Sequence, residues 1–280
     1  MTTHSQLNLI MFATVVGLAI FLYLRPESES TQEYKVSTQL IETVEHVRIV
    51  RNEQEIVLAR SNNNWQLKKP IAAQADENKV NQLLGILSAS SNQSFMLTEQ
   101  ANLGLDQPLV QLYIEDEYFG FGGLAPTTNL QYLETNNIIY LVSPRYSVQL
   151  PVNPLELINT SLLASNEIPI QFETDHLRIH QQNRIWDIVS PESTVELNQD
   201  EFNRWIHMWH SVSADHVSFY GHLTSDEDEN STIKISLQDG QDVIFKLMQN
   251  DLELALLRVD EGISYHFPID VGKQLLDPRK

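Results

Sequence analysis

Four histidines and one aspartate crowd a single stretch of the sequence: His207, His210, His216 and His222, with Asp215 beside them. Neutral imidazoles and carboxylates are the donor types of zinc sites. His207 and His210, however, are spaced i, i+3 and lack the His-Glu-x-x-His pattern that adds a general base to two ligands on one helix face. They also flank a Trp-rich apolar stripe, so they read as partly exposed helix and strand residues, and no metal is expected. The run Asp226-Glu227-Asp228-Glu229 could gather calcium, but an EF-hand loop from Asp226 would need Gly and Glu where Ser231 and Leu237 stand. It reads as a solvated loop. Gly120-Phe121-Gly122-Gly123 precedes Pro126 and a strand-like stretch rather than a helix, so it reads as a tight turn rather than a phosphate cradle. No Gly-x-Ser-x-Gly elbow, Walker lysine loop or paired catalytic carboxylates occur. The expectation is a chain without catalytic residues, cofactor or metal.

The elements around these residues repeat. Trp65 leads a short strand ending at Pro70, and Trp186 leads another ending at Pro191; both pairs of residues are 121 positions apart. Downstream, Val80, Leu83, Leu84 and Leu87 form an i, i+3, i+4, i+7 stripe, which Phe202, Trp205, Ile206 and Trp209 repeat with a shift of 122. Asn198 with Glu201 reads as a capping pair, with Asp76 in the matching place. Gly85 and Ser88 stand where the second half has His207 and His210, so any histidine site belongs to the second half alone. Strand-like runs follow each helix, among them Ile233–Leu237 and Val243–Leu247 around the hairpin signal Asp239-Gly240. Trp65, Pro70, Leu83, Leu87, Trp186, Pro191, Trp205 and Trp209 are the expected core, since repeated strand and helix faces bury such residues. The expected class is α+β: an N-terminal transmembrane helix, then two tandem repeats of an antiparallel-sheet-plus-helix module.

The transmembrane expectation rests on residues 8–24, an uncharged and almost wholly apolar run. Arg25-Pro26-Glu27-Ser28 after it is no small-x-small cleavage site, which favours an uncleaved anchor. The expected organisation is a tail over 1–7, an anchor over 8–24, a tether over 25–39, a first repeat over 40–165 and a second over 166–280. The 280 residues carry a net charge of -19, which repels phosphate backbones and excludes nucleic acid as a partner. With no cysteine, the fold contains no disulfide or thiolate site.

The string Trp65-Gln66-Leu67-Lys68-Lys69-Pro70, the segment Leu103-Gly104-Leu105-Asp106-Gln107-Pro108, the glycines at 120–123, Tyr132 and Ile139-Tyr140-Leu141-Val142 together resemble the domain-of-unknown-function 4340 family. The resemblance covers roughly residues 47–165 and extends more loosely to the second half, where Gly221-His222-Leu223 replaces the Gly-Leu-Asp-x-Pro string. It implies a membrane-anchored envelope protein, often encoded beside gliding-motility-type ABC transporters, with Gly104, Leu105, Asp106, Pro108 and Tyr132 as motif residues and no established catalytic residue.

The functional expectation is therefore a non-enzymatic, single-pass envelope protein of the inner membrane with its C-terminal part in the periplasm. It would act as a scaffold or accessory subunit of a membrane complex, with membrane-protein partners. The alternative is a periplasmic module that binds a lipid, glycan or peptide.

Overall fold

The computed structural model describes residues 3–23, 32–61, 64–96, 103–175, 177–189, 197–219 and 231–278. Two antiparallel sheets dominate them. The first comprises β1 (His46–Arg51), β2 (Gln54–Ser61), β3 (Asn64–Lys69), β4 (Ala73–Gln74), β5 (Ser94–Met96), β6 (Val110–Ile114), β7 (Glu117–Leu124), β8 (Gln131–Thr135) and β9 (Ile138–Val142), in the order β4-β3-β2-β1-β6-β7-β8-β9-β5. The second comprises β10 (Pro169–Glu173), β11 (Arg178–Gln182), β12 (Ile185–Ile188), β13 (His216–Phe219), β14 (Thr232–Leu237), β15 (Asp242–Gln249), β16 (Glu253–Arg258) and β17 (Ile263–Pro268), in the order β12-β11-β10-β14-β15-β16-β17-β13. Apart from the short β4, the two sheets follow one path.

Alternation explains the sheets: Val47 and Ile49 of β1 point inward, as do Ile233, Ile235 and Leu237 of β14, while their neighbours face outward. Two-residue turns with positive φ, Asn52-Glu53 and Asn136-Asn137, join β1 to β2 and β8 to β9. That backbone hand matches strand twist and fixes register. Besides the single turn Arg145–Val148, the α-helices among the described residues are α1 (Thr3–Tyr23), α2 (Glu77–Leu84), α3 (Gln199–Ser211) and α4 (Ile269–Leu276). Asp76 caps α2 by accepting from the N–H groups of Asn78 and Lys79, and Asn198 and Glu201 form a reciprocal capping box on α3. Each first turn is also tied to the strand that precedes its helix. The backbone N–H of Trp65 donates to Glu77 Oε1 at 2.6 Å, and that of Trp186 to Gln199 Oε1 at 3.0 Å.

One apolar cluster runs through both halves. Trp65, Leu83 and Leu87 are buried in the first; Trp186, Trp205 and Trp209 are buried in the second, packed around Phe172 at centroid distances of 4.6–6.2 Å. Trp205 Nε1 donates to the carbonyls of Gln274 and Leu275, fixing α4 to α3.

Three expectations are corrected. The class is mainly β rather than α+β: α2 has 8 residues and α3 has 13, against sheets of nine and eight strands. Nor does α1 supply a transmembrane span, because among the described residues no helix is long and apolar enough to cross a membrane. Its first turns carry Thr3, His4, Ser5, Gln6 and Asn8. Pro70, expected in the core, is exposed, because it follows the last residue of β3 where the chain leaves the sheet. Pro191, His222 and the acidic run 226–229 lie outside the described residues.

Candidate functional site

The histidines separate in space. His207 is exposed on α3, while His210 at the end of the same helix is half-buried. Burial lowers the pKa of His210, against the raising pull of Glu167. His216 leaves that neighbourhood altogether, because it starts β13, which pairs with β17 and places His216 opposite His266. The two imidazoles stack with centroids 4.2 Å apart and planes 14° apart. His266 is 4 % exposed.

Pleating decides what else lies beside this pair. On β16 and β17, Leu254, Leu256, Tyr265 and Phe267 belong to the main core, and Leu254 meets α4 at Gly272. Glu253, Ser264 and His266 therefore take the opposite face, together with His216 and Ser218 of the edge strand β13. There the Nδ1 of His266 meets a Glu253 carboxylate oxygen, and its Nε2 lies 2.8 Å from Ser218 Oγ. With the Nδ1 proton turned to the carboxylate, Nε2 accepts from the serine hydroxyl. This is the donor order of a Ser-His-acid relay, but Ser218 lies inside a short strand rather than on the strand-to-helix elbow that supplies oxyanion donors. One ligand atom from each of His216, Glu253 and His266 lies within 4.8 Å of the others. Of the described histidines singled out from sequence, His207, His210 and His216, His216 alone joins this group. Glu253 and His266 were missed because their signal, one polar residue on each of two strands, becomes legible only once β13 is known to pair with β17.

A second polar cluster joins the halves. Arg258, at the end of β16, donates to the Leu162 carbonyl and to both carboxylate oxygens of Glu167, and its Nε reaches Asp260 at 3.1 Å. Burial alone would lower the guanidinium pKa, but the Glu167 hydrogen bond and the Glu261 and Glu167 charges outweigh it and raise the value. Glu261 accepts from the Tyr265 hydroxyl at 2.6 Å and from the Gln74 backbone N–H at 3.0 Å. Burial raises its pKa despite the opposing pull of Arg258. The bridge Ala75↔Ile158 and the bond from Asn159 N–H to the Gln74 carbonyl extend this joint along the backbone.

Away from these clusters, an apolar groove has a volume of about 580 Å³. Ile56 and Pro70 line it from the first half, Val152 and Pro154 from the connection, and Phe219 from the end of β13. The tryptophans do not form it: all four are buried, Trp186, Trp205 and Trp209 against other rings and Trp65 beneath the Arg60 guanidinium, 5.0 Å from its ring.

The glycines at 120–123 lie within β7, not in a turn. A Cβ on Gly122 would stand 2.5 Å from the Leu103 carbonyl oxygen, so glycine admits the crossing of the 103–105 segment, held there by the Gly123 N–H to Leu103 carbonyl bond. Gly104 takes φ +71° at that crossing, Leu105 is buried beneath it, and Asp106 is exposed. Pro108 and Tyr132 are half-buried. Of these motif residues Gly104 and Leu105 form the backbone crossing, while Tyr132 meets the Phe95 ring edge-on at 6.4 Å.

A family model described as "Domain of unknown function (DUF4340)" matches residues 65–206, just over half of the chain. No curated protein and no solved structure matches.

Proposed function

The chain belongs to the DUF4340 family, and on that premise we propose that it is a non-enzymatic binding module that docks a segment of a partner protein between its two halves. The observation that carries this reading is the apolar groove lined by Ile56, Pro70, Val152, Pro154 and Phe219, to which both halves contribute. Its about 580 Å³ is of ligand-site size, room enough for several apolar side chains of a docked segment. A partner's apolar side chains fill such a groove from above, and the net charge of -19 favours a basic segment around them.

Site-specific photocrosslinking from Val152 of the full chain, in its own cells, tests the proposal. The expected result is an adduct with one other protein that disappears on Phe219→Asp while thermal stability is retained. Adducts that survive this substitution, or adducts only with a second copy of the chain, sink the reading. Labelling of Ser218 by a fluorophosphonate probe would overturn its non-enzymatic part.

A further inference from the structure

We infer that His216, Glu253 and His266 form a binding site for a zinc-class divalent metal ion. Two imidazoles and a carboxylate are a borderline donor set that suits zinc and its neighbours rather than calcium or magnesium, which take oxygen donors. The ligand atoms already lie within 4.8 Å of one another. Tetrahedral zinc with ligands at about 2.0–2.2 Å needs donors roughly 3.3–3.5 Å apart, so rotations of the Glu253 and exposed His216 side chains close the site without moving the sheet.

The surroundings match what such an ion requires. His266 is buried and carries hydrogen-bond partners on both ring nitrogens. With the ion on the Nδ1 that faces Glu253, the Nε2–H donates to Ser218, the outer-shell bond that fixes the tautomer of a ligating histidine. His216, exposed on the edge strand, provides the way in. The three ligands come from β13, β17 and β16, three neighbouring strands, so the ion pins the edge strand to the sheet. Three protein ligands leave a fourth position for water. The site shares strand β13 with the groove but none of its lining residues, and metal binding is read without a partner present.

The experiment is a titration of the untagged full-length chain, stripped with chelator, with Zn²⁺ by calorimetry and with Co²⁺ by visible d–d absorption. One equivalent is expected to bind, with the intense absorption of a low-coordinate cobalt site. His216→Ala, an exposed position that spares the core, is expected to weaken binding by at least about tenfold, since loss even of an outer-shell partner costs 10–100-fold. Glu253→Gln is expected to act in the same direction, whereas the double variant His207→Ala, His210→Ala binds as the wild type does. Absence of saturable binding at one equivalent, unchanged affinity in His216→Ala, or loss in the α3 double variant would each overturn the assignment.

Discussion

Arg258 of the second sheet and Glu167 of the connecting segment meet as a two-pronged ion pair, with Arg258 Nη1 3.0 Å from Glu167 Oε2 and the arginine side chain 4 % exposed. The pair lies where the two halves join, so the connection is a structural joint as well as a link. Three carboxylates, Glu167, Asp260 and Glu261, share this one guanidinium.

Removal of the guanidinium leaves Glu167 and Glu261 without a counter-charge, held only by the neutral donors Ala164 N–H, Gln74 and the Tyr265 hydroxyl. Arg258→Met is expected to destabilise by about 3–5 kcal/mol, the usual cost of breaking a buried pair from one side. Urea unfolding measures it. A loss below about 1 kcal/mol would mean that the joint is well solvated.

Glu261 predicts a pH dependence. Its folded pKa is raised, chiefly by burial, above the unfolded value of about 4.3. Its contribution is complete below that unfolded value and is lost as pH rises through the folded one, because the unfolded chain releases the proton first. The unfolding free energy of the wild type minus that of Glu261→Gln is expected to fall as pH rises above about 4.3, the unfolded value. A flat or rising difference contradicts the assignment.

Trp65→Ala and Trp186→Ala each empty a fully packed site and are expected to cost roughly 3–5 kcal/mol. Chemical denaturation reads both. Similar losses are expected, because the two residues are 1 % and 3 % exposed and carry the same backbone tie to the following helix.

Two glycines are expected to respond with opposite sign. Gly122→Ala drives a methyl group against the Leu103 carbonyl and is expected to destabilise by about 1–3 kcal/mol. Gly85→Ala meets open space in a helical backbone and is expected to stabilise by about 0.4–1 kcal/mol. Melting temperatures of the two variants rank them; equal shifts would contradict the crossing.

Local pattern carried the strands, helix starts and buried tryptophans. Burial follows periodicity, as at Val80 and Leu83, and caps follow short-range hydrogen bonds, as at Asn198 and Glu201. The same reasoning misplaced the glycines at 120–123, because what crosses them comes from residues 103–105 and no local signal marks a crossing. It misjudged Pro70 because the spacing of a strand end does not say which side of it is covered.

The sequence by itself determined the period-2 and period-3.6 segments, the spacing of 121–122 residues between like elements and the acidic charge, since each depends on neighbours along the chain. Tertiary structure alone decided that His216 stacks on His266 beside Glu253 and that Arg258 reaches Glu167. Those pairs lie 50 and 91 residues apart. Strand pairing and the choice of sheet face bring them together, and neither is written in any one stretch of residues.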